Sequence, residues 1–121
     1  MTALPHHREL LRQLKEGTHA LHLEAEHRVH ILEPSATRDT YRQYLRKMLG
    51  FHAPLEEALA GNAALQAAGF DSAARRKAPL LVKDLRALGE AGEGARCTRL
   101  PDVATLPRAL GCAYVLEGST L

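Results

Sequence analysis

Apolar residues recur at spacings of three and four along nearly the whole chain, and alternating β-branched runs of the kind a strand needs are scarce. That periodicity predicts an all-α domain. A first helix is expected from about Pro5 to Leu32, with proline in its opening turn; Glu33-Pro34 stops it, because a residue before proline is pushed out of helical conformation. Ser35 or Thr37 then caps a second helix over roughly Arg38 to Ala60. It carries Tyr41, Leu45, Met48, Leu55 and Leu59 on one side, with Phe51 or His52 between them, and ends at Gly61-Asn62. Gly50 and Pro54 predict a kink within it. After a loop of small residues, Asp71 or Ser72 is expected to cap a third helix that carries Pro79, Leu80, Leu81, Leu85 and Leu88 and stops at Gly89. Arg75, Arg76, Lys77, Lys83 and Arg86 fall on its outer side and read as a solvated face, with a docking surface for an acidic partner as the alternative. The glycine-rich stretch GEAGEGARCTRLPD, Gly89 to Asp102, lacks the strand-loop-helix setting of a phosphate loop and is expected to be a mobile connection. A last helix begins near Thr105, with Pro107 in its first turn, and reaches Leu121 without a stop signal.

The 121 residues, 45% hydrophobic and 25% charged, fit one soluble globular domain over 1–121 with a modest core. Sixteen Lys and Arg against fourteen Asp and Glu leave a net charge of +2 with the signs interspersed, so nothing points to a nucleic acid or a membrane surface. No apolar run approaches the ~20 residues needed to cross a bilayer, which argues against membrane insertion. Cys97 and Cys112 form no CxxC pair, and MTALPHHREL lacks the apolar core of a signal peptide. A cytoplasmic protein is expected.

The stretch KEGTHALHLEAEH, Lys15 to His27, holds the candidate site. At about 100° per residue, Leu11, Leu14, Thr18, His22, Ala25 and Val29 form one stripe, the core face of an amphipathic helix, with His22 at its centre. Glu26, one turn on, is placed to hydrogen-bond the ring, directly or through water, and Lys15 lies two turns back. Small neighbours at Gly17, Thr18 and Ala25 leave room for a flat body across the helix. Two other readings stand beside this one. The first is a core histidine satisfied by a neighbour. The second is a helical metal site of His19, His22, Glu26 and His30, completed by carboxylates such as Asp39, Glu56, Glu57 or Glu117. The remaining histidines, His52 among them, are expected at exposed edges.

Three segments carry a family resemblance. LKEGTHALHLEAEH, Leu14 to His27, resembles the first-helix motif LKxxTxxxHxxxE of the heme oxygenases. YVLEGSTL, Tyr114 to Leu121, resembles the start of that family's distal helix, especially in the bacterial branch found beside bacteriophytochromes, and YRQYLRKMLGFHAPLEEAL resembles its second helix. Residues Gly61 to Arg99 match only loosely. The resemblance implies a heme-oxygenase-like helical bundle in which heme is both cofactor and substrate. The ring is opened to biliverdin, CO and iron, at the expense of dioxygen and of electrons from a ferredoxin or a reductase. His22 would be the proximal ligand of the heme iron, Glu26 its partner, and Lys15 the cation that meets a propionate. Gly118 and Ser119 would let the distal backbone approach the reacting oxygen. In the family the distal helix continues through a glycine pair after the position of Leu121. The chain is therefore expected to be a C-terminally short form, an incomplete bundle prone to self-association or low stability, with a non-catalytic heme-binding or interaction module as the alternative.

Overall fold

The structure, a computed structural model, describes residues 5–29 and 33–118. Among them are five helices and no strand, so the domain is all-α. The chain divides into two compact units, Met1–Thr40 and Tyr41–Leu121.

The first unit is dominated by α1, Pro5–Arg28. Exposed ion pairs lace its surface, Arg12 to Glu16 at 2.8 Å and Arg28 to Glu24 at 2.7 Å, and support the helix weakly because water screens them. The helix stops at Arg28, where Val29 N–H still reaches the Ala25 carbonyl at 3.0 Å. It is thus shorter than the expected run to Leu32, and His30, Ile31 and Leu32 lie outside the described residues. Of the two residues expected to cap the next helix, Thr37 does so. Its hydroxyl accepts Thr40 N–H at 3.2 Å, while Thr40 Oγ1 accepts Thr37 N–H at 2.7 Å, a reciprocal cap that launches α2, Arg38–Ala60.

In the second unit α2 carries two apolar clusters on successive turns and runs unbroken through Pro54. Leu45 and Leu49 pack with Ala78 and Leu85 of α4, Ala78–Ala87. Further along, Leu55 and Leu59 pack with Leu65 of α3, Ala63–Ala67, with Val103, and with Ala109 of α5, Leu106–Gly118. The short α3 falls where a loop of small residues was expected. Asn62 ends α2 and also starts α3: its side chain accepts Leu65 N–H at 2.9 Å and donates to the Val103 carbonyl at 2.9 Å.

The start of α4 differs from expectation. Neither Asp71 nor Ser72 caps it; Ser72 is buried and exchanges hydrogen bonds with Gln66 instead. The helix begins at Ala78, and its first N–H groups point to the carboxylate of Glu56 on α2, 3.1 and 3.2 Å from Ala78 N. Gly89, with φ of +79°, then ends it in the left-handed conformation.

The glycine-rich segment after Gly89 is fastened to α2 rather than free. Cys97 N–H donates to the Gly50 carbonyl at 2.8 Å, and a Cβ on Gly50 would stand 2.4 Å from the Ala95 carbonyl oxygen. Gly50→Ala should therefore cost about 1–3 kcal/mol in a denaturant melt, because backbone must move to admit one methyl. Gly111→Ala in α5, where a Cβ meets nothing within 4 Å, should instead stabilise the ligand-free protein by up to about 1 kcal/mol.

Candidate functional site

On α1 the ring of His22 is fixed by its own helix. Nδ1 lies 2.9 Å from the Thr18 carbonyl, so Nδ1 carries a proton and donates it, and in the neutral ring the lone pair is on Nε2. A neutral ring in this form can ligate a metal through Nε2. Thr18 is itself held by its hydroxyl, which donates to the Leu14 carbonyl at 2.8 Å. The Nδ1 partner is thus the carbonyl one turn back rather than the Glu26 carboxylate one turn ahead, because the same-helix carbonyl already stands within reach of the ring. Of the stripe expected to be core, Leu11, Leu14, His22, Ala25 and Val29 are exposed and Thr18 is half-buried. A Cβ at Gly17 would meet nothing within 4 Å, which leaves the backbone bare beside that surface. Lys15 and Glu26 are also exposed, about 10 Å before and about 6 Å after His22 along the axis at the helical rise.

Of the alternative metal set, His19, His22 and Glu26 lie among the described residues and His30 does not. No group of three or more His, Cys, Asp or Glu among the described residues could hold an ion.

In the second unit α5 has two unlike faces. Ala109 and Ala113 are buried, with Cys112 and Leu116 packed against the core around Leu55 and Leu65. Gly111, Tyr114, Val115 and Gly118 lie three and four apart on the other side; Tyr114 is 81% exposed, and a Cβ at either glycine would meet nothing within 4 Å. An apolar strip with bare backbone at two points is a surface on which a flat apolar molecule can lie close. Gly118 ends this helix, and Ser119 falls outside the described residues.

His52 was expected at an exposed edge, but it is only 2% exposed, and it is Phe51 that faces solvent. Its Nδ1 has no hydrogen-bond partner among the described residues. The ring borders a cavity of about 20 Å³, room for about one water, which Glu56, Ser72, Arg75 and Lys77 also line. Burial holds the imidazole below its usual range; the Glu56 charge opposes that shift and Lys77 adds to it. The readable signal was the register of His52 and Glu56 with Leu45, Leu49, Leu55 and Leu59. Spacings of three and four put all of them on the inward side of α2.

The described residues are thus all-helical, with an exposed imidazole on the first helix and an exposed glycine-bearing apolar face on the last. Residues 8–121 match the Heme oxygenase family model, and the chain belongs to that family. The family breaks down heme, with heme as substrate and iron released. No curated protein and no solved structure matches the chain significantly. No helix among the described residues is long and apolar enough to cross a membrane.

The His52 shift has a sign. Folded, the ring binds its proton less tightly than in the unfolded chain, so its contribution to stability is complete above about pH 6.5, the ordinary value for histidine, and is lost as pH falls towards the lower folded value. Urea melts between pH 7.5 and 5 should show stability falling with acid, and His52→Gln should flatten that slope. An unchanged slope would assign the effect to other groups.

Proposed function

We propose that the chain acts as a biliverdin-forming heme oxygenase in which His22 is the proximal ligand. The observation that carries this reading is the His22 Nδ1–Thr18 contact, which in the neutral ring leaves the lone pair on Nε2, on an exposed helical face. When bound, heme supplies the redox chemistry, activating dioxygen with electrons from a ferredoxin or reductase and giving biliverdin, CO and iron as its own ring opens. The protein's part is to bind and orient. His22 holds the ligand at Nε2 while the Thr18 carbonyl keeps the proton on Nδ1. Lys15 offers a cation to a propionate, and Glu26 adds negative charge one turn beyond the imidazole, where it favours electron donation from the ring. By the family resemblance, Gly118 and Ser119 would let backbone approach the reacting oxygen. The motifs that resemble the bacterial branch support a cytoplasmic bacterial enzyme working as one domain beside a bacteriophytochrome that uses the biliverdin. The exposed leucines of α1 support self-association, which sedimentation at several concentrations would register.

The test is a hemin titration followed by ascorbate under air with catalase present. A saturable Soret band that decays into biliverdin absorption is expected. His22→Ala should weaken binding at least about tenfold, the scale for loss of a directed ligand bond. His30→Ala should leave binding intact, since the metal-site reading alone needs that residue. A Soret band that never decays would make the chain a heme-binding module without turnover. No band at all would end the proposal.

A further inference from the structure

The basic residues that flank and follow the start of α4 are not an evenly solvated face. Arg75 turns away to pair with Glu117 at 3.2 Å and to lie over the Phe70 ring at 5.7 Å. Arg76 and Arg86 instead line a cleft of about 830 Å³ in the second unit, together with Lys47 of α2. The cleft lies between α2 and α4 and is walled by the glycine-rich segment that Gly50 and Cys97 fasten in place. Leu49, Ala53, Pro79 and Val82 form its apolar lining.

Three observations define what it could hold. The first is size: about 830 Å³ is within the range of roughly 300–1,000 Å³ that takes an organic ligand, and far more than a bare ion fills. The second is charge. The lining includes five cations, Arg46, Lys47, Arg76, Arg86 and Arg96, against one carboxylate, Glu93. Arg46 is paired with Glu90 at 3.6 Å and Arg96 with Glu57 at 2.7 Å, whereas Lys47, Arg76 and Arg86 make no ion pair among the described residues. The third is the absence of any aromatic side chain from the lining, so a nucleobase would find nothing to stack on. Gly92 gives the wall its shape: a Cβ there would stand 2.6 Å from Val82 Cγ1 and 3.0 Å from Arg86 Nε, so the bare backbone at Gly92 lies against Val82 and the Arg86 guanidinium of α4.

We propose that this cleft is a second ligand site, built of residues other than His22 and the open strip of α5, and that it takes an amphipathic organic carboxylate. The apolar body lies along Leu49, Ala53, Pro79 and Val82, and the carboxylate meets the unpaired cations, of which the arginines offer paired N–H donors. The site does not depend on heme: each of its residues lies in the second unit and none is in the expected heme-binding set.

The experiment uses the full chain without heme. Oleate is titrated in by calorimetry below its micellar concentration, with oleyl alcohol as the neutral analogue of the same chain. Saturable binding near one oleate per chain is expected. It should weaken about tenfold or more in Arg86→Glu and further in Arg76→Glu/Arg86→Glu, the scale of a charge-assisted contact. His22→Ala and Tyr114→Ala should leave it unchanged. Arg86→Gln, with helicity checked by circular dichroism, separates loss of charge from loss of fold and should weaken binding less than the reversal does. Binding that ignores the charge reversals, equal affinity for oleyl alcohol, sensitivity to His22→Ala or Tyr114→Ala, or no saturable binding would each overturn the proposal.

Discussion

Glu56, only 7% exposed, extends from the inward side of α2, and its carboxylate takes the first N–H groups of α4 at Lys77 and Ala78. A carboxylate out of water is costly unless its oxygens are satisfied, and the N-terminus of a helix satisfies them with donors and with the positive end of the helix dipole. The contact therefore fixes the end of α4 against a chosen turn of α2. Much follows from that registration. Leu45 and Leu49 meet Ala78 and Leu85, the cavity beside His52 closes under Lys77, and the cleft lined by Leu49 and Val82 takes its width from the two helices it joins. Removing the carboxylate would leave two N–H groups without their partner as well as loosening this packing.

The other half of α2 does comparable work by shape alone. Leu55 and Leu59 meet Leu65 and Ala109, and alanine at 109 and 113 lets α5 come close. One face of α5 is thereby consumed by small residues and Leu116. The opposite face, with Gly111, Tyr114, Val115 and Gly118, has to point away from this core. The open strip of α5 is thus a consequence of how its inner face packs.

Sequence pattern read these elements unevenly, and the reasons are physical. The start of α5, both ends of α2 and the stop of α4 were legible because local chemistry sets them: Pro107 in a first turn, the Thr37 and Thr40 cap, Gly61-Asn62, and Gly89 at positive φ. The start of α4 was not, because its cap comes from Glu56, twenty-two residues before Ala78. The five residues of α3 were read as loop because Asn62, taken as a stop, is a cap in both directions. His52 escaped although its register with Leu45, Leu49, Leu55 and Leu59 pointed inward, because a titratable ring was assigned to an exposed edge by its residue type. In the candidate site, the motif pointed to His22, with Glu26 expected to hydrogen-bond its ring directly or through water. Both lie one turn from the ring, and only coordinates distinguish the Thr18 carbonyl from the carboxylate.

That last difference bears on how the ligand-binding property is encoded. A tautomer set by a side chain depends on the charge and conformation of that side chain, whereas one set by an i−4 carbonyl depends only on the helix being formed. In α1 the helix is supported by local ion pairs and by the Thr18 hydroxyl on the Leu14 carbonyl, contacts that need nothing from the second unit. The metal-ready form of His22 is therefore written in one turn of sequence, Thr18 to His22. The apolar strip of α5 depends on a tertiary core more than fifty residues wide, from Leu55 to Ala109. Substitutions in that core should alter the α5 strip and leave the His22–Thr18 contact as it is, since the two rest on different interactions.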